Sequence, residues 1–321
     1  MTVLASGSKG NATIVAAGKT ALLVDAGLRC RELLKRMAAV GEDPTALTAI
    51  LITHEHVDHV AGLSVLARRL GIPVYFTEQT HRAWIRMMTP KTTMTYAKWL
   101  EMREREHAAA QAAANAPAHT VMAIADEPEL ALEPTLEPDP DDDTPAAKKD
   151  PAALPAVEYF RAGNSFSIGE IDIAPFTIPH DAADPCGFVF HARSESLRMA
   201  IATDLGYIPP NVKMALKNVD VLLLESNHDL EMLKDGPYPW SVKQRVLSRV
   251  GHLSNTAAAE FLSQDYDGGA HTIVLGHISE SNNLPELALL AAEQAIANRM
   301  SLLGNRLVLA SQAEPSPSIC L

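Results

Sequence analysis

The chain has 321 residues, 47% hydrophobic and 21% charged, enough to bury one large core or two modest ones and too apolar for a disordered or fibrous protein. No stretch reaches the roughly 18 apolar residues that cross a bilayer, the opening MTVLASGSKG lacks the features of a signal peptide, and the distant Cys30, Cys186 and Cys320 form no CxxC pair; the expectation is a cytoplasmic protein with no membrane partner, disulfide framework or thiolate zinc cluster. The net charge of −12 speaks against a polyanionic ligand until its distribution is considered: residues 101–157 hold 13 acids against four bases, a net of −9, which leaves −3 for the remainder.

In chain order, β-branched apolar runs predict strands at ATIVAA (12–17), TALLVD (20–25), AILIT (49–53) and PVYFT (73–77), with amphipathic helices at CRELLKRMAAV (30–40) and VAGLSVLARRL (60–70). Residues 101–157 interrupt this alternation. The run EPELALEPTLEPDPDDDTPAAKKDPAALPA lacks the apolar periodicity that offsets chain-ordering entropy, so 115–155 reads as a disordered insertion, preceded by a candidate helix in TYAKWLEMREREHAAAQAAA. No chemistry is expected there, and the acidic stretch is a candidate arm for protein partners. Beyond it, strands are predicted at FSI (166–168), IDIAPFTI (171–178), GFVFHA (187–192), RMAIATD (198–204), DVLLLE (220–225), TIVLG (272–276) and RLVLA (306–310). Helices are predicted at WSVKQRVLSRV (240–250), NTAAAEFLSQ (255–264) and PELALLAAEQAIANRMSLL (285–303). Two such blocks, without an internal repeat, describe an α/β chain whose helices cover sheets.

The sharpest motif is THEHVDHV, in which His54, His56, Asp58 and His59 follow one predicted strand and precede a helix. At this chain's histidine frequency an HxHxDH string arises by chance on the order of once in a thousand such sequences, so a bland origin is a poor account of it. Neutral imidazole and carboxylate are ligands of zinc and related divalent ions, and a turn can aim alternate positions at two neighbouring points. His54 and His56 suit one ion, Asp58 and His59 a second. Further donors recur just past apolar strands: His180 after IDIAPFTI, Asp204 in RMAIATD and His277 after TIVLG. Strand ends on one sheet edge are where α/β proteins build sites.

With these residues in place, the chain resembles the metallo-β-lactamase-fold hydrolases, over nearly everything except 101–157. The resemblance implies a four-layer αββα sandwich, a single domain formed by 1–100 and 158–321 around the insertion, and a binuclear site. It assigns His54, His56 and His180 to one metal, Asp58, His59 and His277 to the other, and Asp204 to both. Asp25, in LLVDAG, matches the early aspartate that supports the ligand turn; taken by itself it is equally a turn or helix cap.

The fold leaves the reaction open. A bridging Asp204 in place of a cysteine ligand argues against a β-lactamase. DVLLLESNHD puts Glu225 at a strand end, and RVGHLSNTAAAEF puts His252 before a helix start. The pair resembles the Glu and His of phosphodiesterases of this fold, the tRNA 3′-processing endonucleases included, where the histidine protonates the leaving group or touches the phosphate. For each residue a plain surface position is the alternative, and for His228 a donor behind the site and a surface histidine are both open. LASGSKGN, GHLSN and LGHISESNNLPEL together resemble the YycJ (WalJ) branch, which implies exonuclease action on double-stranded DNA, 5′ to 3′. There Ser6, Ser8 and Asn11 would lie on a loop holding phosphate oxygens, and Asn283 near substrate; a polar hairpin and a cap for the helix at Pro285 are the alternatives. Cys186 is a buried thiol or a cleft residue, and Trp84 with Met87 and Met88 reads as packing.

The function expected is therefore a binuclear metal-dependent phosphodiesterase acting on nucleic acid, with DNA the expected substrate and a hydroxide shared by two divalent ions as nucleophile; zinc is the first candidate, and manganese or iron suit the same donors. Asp58, His252, Glu225 and Asp25 are the candidate catalytic group. Scattered bases Lys9, Arg29, Lys213, Lys217, Lys243 and Arg245 would meet the substrate. A thioester or small-ester hydrolase of the glyoxalase II kind would use the same seven ligands without Glu225 and His252, and a non-catalytic nucleic-acid-binding scaffold would be expected to have lost ligands.

Overall fold

The computed structural model describes residues 1–89, 150–297 and 306–321, arranged as two sheets with helices on their outer faces. The first sheet has the order β1-β2-β3-β4-β5-β6, formed by Thr2–Ala5, Ala12–Ala17, Thr20–Val24, Leu47–Leu51, Val74–Thr77 and Val157–Phe160. The second has the order β13-β12-β11-β10-β9-β8-β7. In chain order these are Phe166–Ile168 (β7), Ile171–Thr177 (β8), Cys186–Ala192 (β9), Leu197–Ala202 (β10), Val221–Glu225 (β11), Thr272–Gly276 (β12) and Arg306–Leu309 (β13). The described helices are α1 (Cys30–Ala39), α2 (Val57–Val60), α3 (Leu63–Leu70), α4 (Glu78–Met88), α5 (Pro210–Ala215), α6 (Leu230–Asp235), α7 (Trp240–Val246), α8 (Asn255–Gln264) and α9 (Pro285–Ile296).

Strand alternation builds the layers. In β11, Val221 and Leu223 enter the core between the sheets while Leu222 and Leu224 enter the core under α5, α8 and α9. Both faces of the strand are thus apolar, as expected for strands covered on both sides. In β3, Leu22 and Val24 face inward and Leu23 joins the outer cluster with Leu33 of α1 and Leu66 of α3. The inner layer is filled by Phe188 and Phe190 from one sheet and by Leu51 and Val15 from the other, all fully buried. Three apolar clusters separating four layers make an αββα sandwich. Strands β3, β4, β5 and β6 are mutually parallel, as are β10, β11, β12 and β13. Their carboxyl ends therefore open on shared edges.

Most predicted elements are present with ends shifted by one or two residues. The pattern over 60–70 predicts one helix, but the structure breaks it into α2 and α3 at Gly62, whose N–H donates to the Ala26 carbonyl at 2.9 Å. The 240–250 helix stops at Val246 and the chain folds back, so that His252 N–H reaches the Val246 carbonyl at 3.0 Å. Strands β1 and β6 and helices α4, α5 and α6 have no counterpart in the pattern. Val157, read with the insertion, starts β6, which pairs in parallel with β5; Ala152 and Leu154 pack against the outer cluster. Trp84 is fully buried, in line with the packing role expected of it. The rest of the expected insertion, the helix in 95–114 and the end of the 285–303 helix fall outside the described residues.

Close backbone approach at the open edge singles out Gly27. Asn11 N–H donates to the Asp58 carbonyl (2.7 Å), Ala26 N–H to the His59 carbonyl (2.8 Å) and Gly27 N–H to the Asn11 carbonyl (2.9 Å). A Cβ on Gly27 would fall 1.7 Å from the Asp58 carbonyl oxygen. Gly27→Ala should therefore cost about 1–3 kcal/mol, as overpacking does, and thermal or urea unfolding should register the loss; wild-type stability would contradict this account of the edge.

Candidate metal centre

Every ligand expected from the sequence comes from a strand end on the open edge. Asp25 follows β3, the His54–His59 turn follows β4, His180 follows β8, Asp204 follows β10 and His277 follows β12. Asp25, Asp204 and His277 each adopt the left-handed region, with φ of 61°, 62° and 54°. Non-glycine residues there cost of order 1–3 kcal/mol and persist where the surroundings over-determine them. At these positions the strand must stop and turn its last side chain back over the sheet edge.

The imidazoles are oriented from behind. The Asp25 carboxylate, 4% exposed, accepts from Thr53 N–H (2.9 Å), from the Thr53 hydroxyl (2.9 Å) and from His59 Nδ1–H (2.8 Å). Thr53 Oγ1 in turn accepts from His54 Nδ1–H at 3.0 Å. His180 Nδ1–H donates to the Gly251 carbonyl (3.2 Å) and His277 Nδ1–H to Glu225 Oε1 (3.0 Å). In these four rings the Nδ1 proton is committed outward, so the Nε2 lone pair points inward, the arrangement that fixes metal-binding histidines. Thr53 and the Gly251 carbonyl are supports the motif search missed. Thr53 directly precedes His54 in sequence, which is the one local sign of its role.

The inward atoms converge. Donor atoms of His54, His56 and His180 lie within 4.8 Å of one another, as do those of Asp58, His59 and His277. Asp204 falls in one group with His54 and His59 and in another with His277, Glu225 and His252. His59 Nε2 is 3.6 Å from Asp58 Oδ2 and 3.5 Å from Asp204 Oδ2; His277 Nε2 is 3.6 Å from Asp58 Oδ2 and 3.5 Å from Asp204 Oδ1. His56 Nδ1 and His180 Nε2 stand 3.2 Å apart. Two ligands about 2.0–2.1 Å from a tetrahedral ion are about 3.3 Å from each other. Moreover His54 Nε2, His277 Nε2 and Asp204 Oδ2 are buried without a hydrogen-bond partner. Orphaned atoms at ligand–ligand spacings, on nitrogen and oxygen donors, fit divalent cations.

Two electrostatic environments result. Burial pushes His54 well below the ordinary imidazole range and His180 to about 4, so both are neutral donors. Burial also opposes charge on His59 and His277, but Asp204 and the neighbouring carboxylates outweigh it and raise both well above that range. Asp204 is likewise opposed by burial and held well below the carboxylate range by His277 and His59. The centre therefore has an imidazole-only end and a carboxylate-rich end.

Glu225 and His252 adjoin the carboxylate-rich end. Glu225 is fully buried, so the surface-acid alternative does not hold. Its Oε1 accepts from both His252 Nδ1–H (2.8 Å) and His277 Nδ1–H, and its Oε2 accepts from Leu205 N–H (2.5 Å). The His252 side chain is 23% exposed beside Asp204, with Nδ1 3.9 Å from Asp204 Oδ1.

The candidate substrate residues separate. Ser6 is buried, and its Oγ accepts from His277 N–H at 2.7 Å. Asn11 is spent on Gly7, on Asp58 Oδ2 (3.2 Å) and on His59 Nε2 (3.0 Å). Ser8 is exposed on the same loop. Asn283 is buried 57 residues along the chain from the Ser226 carbonyl it bonds; its amide also holds Asn227 and Asn255, and its oxygen accepts from Leu284 N–H. His228 is buried, with neither ring nitrogen hydrogen-bonded, and burial lowers it to about 4. Cys186 is buried, its Sγ 3.5 Å from the Thr53 carbonyl. Of the scattered bases, Lys9 pairs with Glu280 (2.5 Å), Lys213 with Asp265 (2.6 Å) and Arg245 with Asp181. Among the described residues no helix is long and apolar enough to cross a membrane.

Comparison with known proteins identifies the family. The model of the metallo-β-lactamase superfamily matches residues 5–277. The chain is 33% identical over 286 residues to an exodeoxyribonuclease WalJ of Streptococcus pneumoniae, covering 89% of this chain and 84% of that protein. It is 32% identical over 299 residues to an exodeoxyribonuclease YycJ of Bacillus anthracis, covering 92% and 89%. Among solved structures, the metallo-β-lactamase fold protein YhfI of Bacillus subtilis aligns over 98% of both chains at a TM-score of 0.57 and 15% identity, a likeness of fold. By sequence over most of its length and by the architecture around its histidines, the chain belongs to the metallo-β-lactamase superfamily.

Proposed function

We propose that this protein is a binuclear metal-dependent phosphodiesterase that degrades DNA, an exodeoxyribonuclease of 5′ to 3′ polarity. The observation that carries the reading is the hydrogen-bonded set His252–Glu225–His277, in which one buried carboxylate orients both a metal-facing imidazole and a partly exposed one. Hydrolysis of a thioester needs no such imidazole, because a thiolate leaves without protonation. An alkoxide leaving group from a phosphodiester does need a proton, and a positioned acid supplies about 10²- to 10⁴-fold in rate. The naming of the WalJ and YycJ relatives as exodeoxyribonucleases supports DNA as the substrate.

His54, His56 and His180 would hold one divalent ion, Asp58, His59 and His277 the other, with Asp204 shared. When bound, such ions supply Lewis acidity for the phosphoryl group and a nucleophile usable at neutral pH. Asp25 fixes the tautomer of His59 directly and of His54 through Thr53. His252 keeps its Nδ1 proton on Glu225 and presents Nε2 as the acid for the departing 3′-oxygen. Ser6 and Asn11 brace the centre through the backbone: Ser6 Oγ accepts from His277 N–H and Asn11 N–H donates to the Asp58 carbonyl.

End-labelled single- and double-stranded DNA and RNA, with a thioester as control, should be tested against zinc, manganese and iron in turn. DNA cleavage should be abolished by chelation and restored by one of these metals, and abolished by His56→Ala, Asp58→Ala or Asp204→Ala; thioester turnover without nucleic-acid cleavage would overturn the assignment. His252→Ala should retain bound metal yet lower kcat on DNA by about 10²- to 10⁴-fold. It should do much less to bis(p-nitrophenyl) phosphate, whose leaving group needs no proton, and equal losses on both substrates would deny His252 the role of acid. Glu225→Gln, by contrast, should lower both kcat and metal content, read by elemental analysis, because it releases His252 and His277 together.

A further inference from the structure

The segment 236–252 carries Lys243, Arg245, Arg249 and His252 and no aspartate or glutamate, within a chain of net charge −12. It contains α7, none of whose residues is buried. Trp240 at its start is 65% exposed, and Leu247 and Val250 beyond its end are 44% and 43% exposed. Large apolar side chains left in water beside basic residues are the composition of a surface that stacks bases and tracks phosphates.

This segment is tied to the metal centre. His252 N–H donates to the Val246 carbonyl (3.0 Å), Asp181 N–H to the Val250 carbonyl (3.1 Å), and His180 Nδ1–H to the Gly251 carbonyl (3.2 Å). Gly206, two residues after Asp204, lies so close that a Cβ there would stand 2.2 Å from the Arg249 carbonyl oxygen. The Arg249 guanidinium sits over the Tyr207 ring, 4.2 Å from its centroid, and Arg245 pairs with Asp181. The Lys243 ammonium donates to the Lys234 carbonyl at 2.6 Å, an exposed contact that a phosphate can replace. From Trp240 to Val246 the helix rises about 9 Å at 1.5 Å per residue, two to three nucleotide steps of about 3.4 Å.

We propose that α7 and the loop after it form the strand-binding platform of this nuclease: Trp240 stacks on a base of the bound strand, and Lys243 and Arg249 contact its phosphates. Charge decides the class of occupant, since the local excess of bases in an otherwise acidic molecule matches a polyanion. The inference rests on the phosphodiesterase reading, and the experiment separates the two.

In the metal-loaded full chain, Trp240→Ala and Trp240→Phe are compared on single-stranded DNA and on bis(p-nitrophenyl) phosphate, which is too short to reach α7. Trp240→Ala should raise KM for DNA about 10-fold or more, in line with loss of one stacked base, with the effect on KM rather than kcat and absent with the small phosphodiester. Trp240→Phe should recover most of the affinity. Tryptophan fluorescence should be quenched by a phosphorothioate oligonucleotide in the wild type and not in Trp240→Phe. An unchanged KM in Trp240→Ala, or a change in oligomeric mass without one, would overturn the platform. If neither phosphodiester is cleaved by the wild type, the proposed activity fails, and the platform is then decided by the quenching alone.

Discussion

The side chain of Asp204 lies 2% exposed between two sets of imidazoles, and one of its oxygens has no hydrogen-bond donor. Burying a carboxylate unpaired costs far more than a fold of marginal stability can carry, so its surroundings must supply positive charge. Where no cation is bound, His59 and His277 are drawn toward their protonated forms by the same carboxylate; divalent ions would take over that role, with both imidazoles neutral. Strands β3, β4, β10, β11 and β12 all end at the same edge, and each contributes a group whose cost there makes sense only in the company of the others. The left-handed backbone at Asp25, Asp204 and His277 is the local expression of that constraint.

Glu225 connects the metal-facing groups to the candidate acid. Its register opposite Gly276 places it beside His277, one residue on. The fold-back after α7 brings His252 to its other side. One carboxylate oxygen accepting from two imidazoles makes their orientations interdependent.

Both chain ends converge on the same region. The segment after β13 returns along β1: Ser316 N–H donates to the Val3 carbonyl, Ile319 N–H to the Met1 carbonyl, and Ser6 N–H to the Ser311 carbonyl. Gln312 accepts from Lys9 N–H (2.8 Å) and donates to the Gly10 carbonyl (3.1 Å), while the Arg36 guanidinium of α1 bonds the Leu4 and Gln312 carbonyls. The loop carrying Ser6 and Asn11 is thereby clamped from the second sheet, so that the two halves of the sandwich hold the ligand turn jointly.

Sequence alone determined the fold class and singled out the candidate donor residues. HxHxDH is too dense a cluster of donors for a bland origin, and an unbroken apolar run such as VLLL in DVLLLE marks a strand covered on both faces. Strands β1 and β6 were illegible because TVLA runs straight into the Gly/Ser loop SGSKG and VEYF follows directly on the Ala/Pro-rich segment. Tertiary structure decided which nitrogen of each histidine faces the centre, the sharing of Glu225, the diversion of Asn11 and Asn283 into internal hydrogen bonds, and the exposure of Trp240 against the burial of Trp84. Those properties depend on partners tens to hundreds of residues away in the chain, and pairing at that distance is set by how the sheets close, which no local pattern encodes.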